Sequence, residues 1–251
     1  MREGSFLTSL DILHVDSTPN LISNHLMVLF DITARFNFLE AFLYDYIVAP
    51  AVLANLQPFK ETAYNTMKEG YRILDIGCGG GHLAVEIAKA EKSLYLNGVD
   101  LSFSQLKRAN LRSMKAGLKM DFIQASACDL PFPDGSFDLV YSVDSIKHWP
   151  DRLKGLLECV RIVKPGGKLI ITEVNRNCTL RQGIQFVRDW RVPAILRPFS
   201  VVPFFLFAVM RSLTVQEARS LTDMLSLDEV TIEPDAGGIN WTMKAIKPPL
   251  S

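Results

Sequence analysis

The pattern of apolar and polar positions changes at residue 70. Before it, residues 21–69 follow a helical period. They predict helices near 21–31, 36–48 and 58–69, with Gly70 capping the last one. After it, short apolar runs alternate with amphipathic segments. Strands are predicted at 71–76, 93–99, 119–124, 137–142, 167–174, 229–233 and 240–246, with helices near 81–90, 102–116 and 151–163. This alternation predicts an α/β fold whose parallel sheet carries helices on both faces.

Two segments fall outside the alternation. Residues 1–69 predict an N-terminal arm and a helical lid, and residues 70–251 predict the sheet domain. Within that domain, residues 175–225 predict a helical insertion after the fifth strand. The last two strands are joined at 235–238, where Asp235 and two glycines indicate a hairpin, so the last strand is expected to be antiparallel.

The first predicted strand leads into a glycine-rich turn. Asp75 is followed by Gly77, Gly79 and Gly81 at alternate positions, and a helical pattern begins at His82. Such a turn lets a ligand approach bare backbone, and the N–H groups of a helix N-terminus attract negative charge. The dinucleotide pattern G-x-G-x-x-G requires glycine where this chain has His82, and no P-loop pattern is present. A nicotinamide-dependent reductase is therefore disfavoured.

Residues 71–88 resemble the first motif of class I S-adenosylmethionine (SAM)-dependent methyltransferases. Residues 124–132 are similar to that family's G-D-A-x-x-L-P-F segment, and residues 131–140 and 164–169 match its turns into the fourth and fifth strands. The resemblance covers residues 71–172. It is to the broad group of methyltransferases that includes the ubiquinone/menaquinone-type enzymes. It implies a Rossmann-like, seven-stranded, mostly parallel sheet, SAM as the cofactor, and methyl transfer to a small molecule.

The resemblance also implies which residues bind the cofactor. Asp100, at the end of the second strand, is expected to accept hydrogen bonds from the ribose hydroxyls. The family's adenine-binding acid falls on the uncharged Ser126, and Asp129 is the alternative acceptor. The expected cofactor-binding residues are Asp75, Gly77, Cys78, Gly79, Gly81, Asp100, Leu101, Ser126, Ala127 and Ser142, with Tyr44 or Tyr46 reaching the cofactor from the lid.

Methyl transfer from a sulfonium requires alignment, and a base only if the acceptor must lose a proton. The candidate catalytic residues are His148 and Asp144, after the fourth strand. A structural histidine beside Trp149 and an exposed loop acid are the alternative interpretations. Aromatic residues concentrated in the lid and the insertion favour an apolar or aromatic acceptor. A protein-directed methyltransferase and a SAM-binding scaffold without activity are the competing functions.

Composition and charge limit the kinds of partner, metal site and compartment that are expected for this protein. The 251 residues have a formal net charge of zero and no basic run, which argues against nucleic acid. The four cysteines are far apart, so no metal site is expected, and a reducing, cytoplasmic compartment is predicted. Residues 192–210 are almost wholly apolar, but three prolines and Arg197 argue against a membrane span. A lid over the substrate is the first interpretation of this segment, and contact with a membrane surface is the second.

Overall fold

A computed structural model describes residues 44–91 and 93–249. The predicted arm, the helix near 21–31 and most of the helix near 36–48 lie outside these residues. The described chain begins with a π-helical turn, Tyr44–Val48, which we name the strap. Helices α1 (Ala49–Asn55) and α2 (Gln57–Thr66) follow it.

Helix α2 ends earlier than its apolar pattern suggests. Met67 is already extended, with a ψ of 144°, and its amide donates the last helical hydrogen bond to the Ala63 carbonyl. The prediction that Gly70 caps this helix is therefore wrong. Gly70 lies in the turn before the first strand, where its φ of 78° suits glycine.

Seven strands form one sheet in the order β3-β2-β1-β4-β5-β7-β6. The strands are β1 (Arg72–Ile76), β2 (Tyr95–Asp100), β3 (Asp121–Gln124), β4 (Phe137–Val143), β5 (Val163–Val174), β6 (Asp228–Pro234) and β7 (Asn240–Ile246). The first five pair in parallel, and β7 is antiparallel to both β5 and β6. The expected seven-stranded, mostly parallel sheet with an antiparallel last strand is confirmed.

Residues 125–136 join β3 to β4 without a helix, whereas helices follow β1, β2 and β4. They are α3 (His82–Ala90), α4 (Phe103–Lys115) and α5 (Arg152–Ile162). The predicted cap of α4 is correct, because the Ser102 side chain accepts a hydrogen bond from the Gln105 amide. Alternate residues of the strands face opposite helical layers. Leu74 and Val140 pack into one apolar cluster, and Ile73 and Leu139 pack into the other.

The insertion after β5 consists of short helical segments. These are α6 (Leu180–Arg188), a 3₁₀ turn at Ala194–Leu196, α7 (Arg197–Pro203), a π-helical turn at Phe204–Val209, and α8 (Val215–Thr222). Phe186 and Phe204 lie in a third apolar cluster, against which Trp190 packs. Within the described ranges, none of the helices has both the length and the apolar character needed to cross a bilayer.

The strand order reverses between β1 and β4. From β1 the chain proceeds outward to β2 and β3, and it then returns to β4 on the other side. In open parallel sheets, ligands bind outside the carboxyl ends of the strands at such a reversal. The glycine turn after β1 and the loop after β4 meet at this point.

Candidate cofactor and acceptor site

The glycine turn holds a left-handed backbone that is tied to the end of β2. Gly77, Gly79 and Gly81 have φ values of 72°, 51° and 71°, a region that favours glycine. The amides of Gly77 and Cys78 both donate to the Val99 carbonyl, at 2.8 and 3.0 Å. The turn is therefore fixed before any ligand is bound.

The three glycines differ in what surrounds them. A Cβ at Gly77 would overlap the Ser145 side chain, and one at Gly81 would lie 2.8 Å from the Ala109 Cβ. A Cβ at Gly79 would meet no atom within 4 Å. Gly77 and Gly81 are thus required by internal packing, whereas Gly79 exposes bare backbone to space that a ligand could occupy.

Asp100 links the end of β2 to this turn. Its Oδ2 accepts a hydrogen bond from the Gly79 amide at 2.9 Å, and its Oδ1 accepts one from the Ser102 amide at 2.8 Å. Burial raises the pKa of the carboxyl, and these two hydrogen bonds oppose that effect. Each carboxylate oxygen has a further lone pair, so the group can also accept from a pair of hydroxyls.

Asp75 lies inside β1, beneath the turn, and is buried. Burial raises its pKa to about 8; the Tyr141 hydroxyl on β4 opposes that rise, and the charge of Asp100 adds to it. The carboxyl is therefore mainly protonated at neutral pH and can donate a hydrogen bond.

The segment after β3 lies against the same edge of the sheet. The Ala125 amide donates to the Asp100 carbonyl at 3.2 Å, which brings Ser126 close to the end of β2. Ser126 Oγ accepts from the Cys128 amide at 3.1 Å, and Ala127 is buried. Asp129 is exposed, so the geometry favours Ser126 and Ala127 over Asp129 as neighbours of a ligand.

The loop after β4 packs on the glycine turn. Ser142 is fully buried, and its Oγ donates to the Ile76 carbonyl at 2.9 Å. His148 has its pKa lowered to about 3 by burial and by the positive charges of Lys147 and Arg211. The imidazole is therefore neutral at physiological pH and a poor proton acceptor.

Residues 74–171 match the family described as "Methyltransferase domain". A 27-O-demethylrifamycin SV methyltransferase of Amycolatopsis mediterranei is 39% identical over 107 residues, covering 42% of this chain and 39% of the relative. A ubiquinone biosynthesis O-methyltransferase of Aromatoleum aromaticum is 38% identical over 109 residues, covering 43% of this chain and 46% of the relative. This chain thus spans less than half the length of either one.

The chain therefore contains a methyltransferase domain at residues 74–171. Its fold agrees with that of a SAM-dependent methyltransferase from Aquifex aeolicus, with a TM-score of 0.64 and 18% identity. That alignment covers 84% of this chain and 98% of the solved one. The open face at Gly79 and the carboxylate of Asp100 fit the cofactor of this family.

A cluster of charges beside the methyltransferase motif was not predicted. Asp45, in the strap, contacts Arg108 at 2.7 Å, Arg112 at 3.2 Å and His82 at 3.2 Å. The sequence offers only a weak signal for this cluster, namely two arginines four residues apart on α4.

The side chain of Tyr44 lies outside what the structure describes. Tyr46 is exposed, with the Arg191 guanidinium 5.9 Å from its ring centre.

Proposed function

We propose that this protein methylates a hydroxyl oxygen of a small apolar or aromatic molecule, with SAM as the methyl donor. The observation that carries the proposal is the junction of Asp100 with the open backbone at Gly79, at 2.9 Å. The names of the two relatives support a small-molecule acceptor, and one of them is named as an O-methyltransferase.

Each part of the junction has a proposed role toward the cofactor. The bare backbone at Gly79 takes the methionine portion, and Asp100 accepts from the ribose hydroxyls. Ser126 and Ala127 contact the adenine. The residues that keep the surrounding backbone in place are Gly77, Cys78, Gly81, Leu101 and Ser142. Bound SAM supplies a methyl group already activated by its sulfonium.

The insertion supports an apolar acceptor. Phe186 and Phe204 pack against Trp190, and Phe205 packs against Phe204, with ring centres 5.1–6.2 Å apart in these contacts. Among the described residues, the buried Nε1 of Trp190 has no hydrogen-bond acceptor. An aromatic acceptor with an oxygen substituent offers both the apolar surface and the missing acceptor atom.

Asp144 is the proposed base. A hydroxyl nucleophile must lose its proton, and His148 is unsuited because burial and two nearby cations disfavour its protonated form. Asp144 directly follows β4, and its side chain is 13% exposed. Its Oδ1 is itself buried and accepts no hydrogen bond from the described part of the chain, so an acceptor hydroxyl that reaches this atom would supply the missing partner.

Contact with a membrane surface is a further part of the proposal. Ile195 and Phe199 are 80% and 73% exposed, and Val202 and Met210 are also largely exposed. Residues 180–211 contain five arginines and one aspartate, in a chain whose net charge is zero. Exposed apolar side chains surrounded by positive charge suit an anionic lipid surface.

The four buried, free cysteines support a reducing, cytoplasmic location.

Two measurements test the function. The first is calorimetric titration of the protein with SAM and with NAD. The second is the release of S-adenosylhomocysteine when the protein and SAM are offered a panel of phenols, catechols and hydroxyquinones. We expect SAM to bind, NAD not to bind, and at least one aromatic hydroxyl to be methylated. Asp100→Asn should weaken SAM binding roughly 10- to 100-fold. Asp121→Asn, at an exposed end position of β3, is the matched control.

The competing functions give different results. SAM binding without methylation of any small molecule or protein would support the scaffold. Methylation of proteins alone would support the protein-directed enzyme.

A further inference from the structure

A buried ion pair joins the loop after β4 to the end of β5. The side chain of Lys147 is 6% exposed, and that of Glu173 is fully buried. Lys147 Nζ donates to Glu173 Oε1 at 2.7 Å and to the Asp144 carbonyl at 2.7 Å. Burial alone would lower the pKa of Lys147, but the charges of Glu173 and Asp144 outweigh it and raise that pKa. Lys147 is therefore an ammonium.

Stability alone does not account for this pair. The desolvation cost of two buried charges often equals or exceeds their attraction, so apolar residues of similar size serve the fold as well. The pair also lies at a particular place, the carboxyl edge of β4 and β5. Ser145, two residues before Lys147, fills the space that the missing Cβ of Gly77 leaves. Lys147 therefore lies in the same loop as the residue that packs against the glycine turn.

The pair acts on the backbone of Asp144. Asp144 has a φ of 55°, which is uncommon for a residue other than glycine. Two hydrogen bonds to the main chain of Asp144 hold it there. The Asp144 amide donates to the Thr172 carbonyl at 2.9 Å, and Lys147 Nζ donates to the Asp144 carbonyl. Glu173 fixes Lys147 in turn, because it also accepts from the Lys147 amide at 3.2 Å. Backbone conformations of this kind cluster at functional sites.

We infer that Lys147 and Glu173 are positioning residues that hold Asp144 where it receives the proton of the acceptor hydroxyl. The inference rests on the proposed function. In the step, the acceptor's O–H bond breaks, the proton bonds to Asp144 Oδ1, and the oxygen keeps the electron pair. That pair would form the new oxygen–carbon bond to the methyl group as the methyl–sulfur bond of SAM breaks, and sulfur would keep the electrons of that bond in the neutral S-adenosylhomocysteine. Asp144 then releases the proton to water. Lys147 Nζ lies 3.6 Å from Oδ1, so its positive charge faces the carboxylate before the step.

The surroundings define what else titrates nearby. The charged or titratable groups around Asp144 are Lys147 and His148 in its own loop, Glu173 on β5, and Arg211, whose charge acts on His148.

The test uses the full chain and three variants. Lys147→Met/Glu173→Leu replaces the whole pair by apolar residues, which avoids an orphaned buried charge. Glu173→Gln keeps an acceptor oxygen for Lys147, and it is measured in place of the double variant if that variant fails to fold. The control is Lys164→Met, which breaks the 2.7 Å pair with Asp138 on the same two strands at their opposite edge.

Two readouts are measured, and one needs no acceptor. The first is the backbone conformation of Asp144, followed through its carbon-13 chemical shifts and assigned with Asp144→Asn. We expect these shifts to change in the double variant and to stay unchanged in the control. The second is turnover of the aromatic hydroxyl that the wild type methylates. In the double variant kcat should fall about 100-fold, with an unchanged SAM affinity and an unchanged KM for the acceptor.

The outcomes separate the inference from the proposed function. If no acceptor is methylated by the wild type, the proposed function fails, while the carbon-13 shifts still report the coupling of Asp144 to the pair. If the double variant has wild-type turnover, or if the Asp144 shifts do not change, the pair is only structural and the inference is overturned. A comparable loss in Lys164→Met would also overturn it.

Discussion

Asp45 Oδ2 accepts a hydrogen bond from Arg108 Nε at 2.7 Å, which joins the strap to helix α4 beside the glycine turn. The Asp45 side chain is only 5% exposed, and a Cβ at Gly80 would lie 2.7 Å from its Oδ1. The strap also reaches the insertion, because the Arg191 amide donates to the Ile47 carbonyl at 3.2 Å. The strap therefore connects the cofactor turn to the segment that is proposed to cover the acceptor.

Replacing Asp45 by asparagine should destabilise the protein and weaken SAM binding. Burial alone would raise the pKa of Asp45, but contacts with His82, Arg108 and Arg112 hold it at about 2. A lowered pKa stabilises the folded state above about pH 4, and the stabilisation is lost as the pH falls toward 2. The shift corresponds to about 2 kcal/mol at pH 7. Urea unfolding of both proteins at pH 7 and pH 3 measures the difference.

Glu86→Gln is the control for the strap. Glu86 pairs with Lys60 at 2.6 Å and also joins an N-terminal helix to α3, but it lies one turn beyond His82. We expect it to alter stability without altering the calorimetric SAM affinity. An Asp45→Asn protein with unchanged unfolding free energy would contradict the proposed role of the contact.

Gly79→Ala and Gly117→Ala form a matched pair. Both glycines have positive φ, 51° and 69°, and a Cβ at either one would meet nothing within 4 Å. Each substitution should therefore cost about 1–2 kcal/mol of backbone strain. Only Gly79→Ala places a methyl group in the space left for the cofactor, so it should also reduce SAM affinity at least tenfold. Equal SAM affinities of the two variants would show that the cofactor does not approach Gly79.

Asp75 should make stability depend on pH in the opposite sense to Asp45. Its pKa is raised to about 8, mainly by burial, so the folded state binds a proton that the unfolded state releases near pH 4. The free energy of unfolding should therefore fall as the pH rises from about 4 to 8. Asp75→Asn has no such proton, and its advantage over the wild type should grow across this range in urea unfolding. A constant difference between the two proteins would refute the raised pKa.

The sequence predicted the sheet well because its signals are local. The strand from Arg72 to Ile76, the glycine turn and the helix from His82 follow one another within residues 72–90. The bounds of β7 coincide with the predicted ones. Asp100 could be placed because the carboxyl ends of parallel strands share one edge of a sheet.

The charged contacts could not be predicted in the same way. Asp45 and Arg108 are 63 residues apart, and Lys147 and Glu173 are 26 apart, with no spacing rule to pair them. His148 was a plausible base until its burial and the nearby Lys147 and Arg211 were known. Helix α2 ended early for a similar reason, since the chain must turn at Met67 to enter β1, and the local pattern does not contain that constraint.

The exposed apolar face of the insertion should bind anionic vesicles. We expect the protein to sediment with phosphatidylglycerol vesicles more than with phosphatidylcholine vesicles, and less as salt is raised, because the arginines contribute electrostatically. Ile195→Ser/Phe199→Ser should abolish most of this binding. Leu111→Ser/Met114→Ser removes side chains that are 58% and 72% exposed on α4 and should leave it intact. If both double variants bind equally, the insertion is not the membrane contact, and the lid interpretation of residues 192–210 gains support.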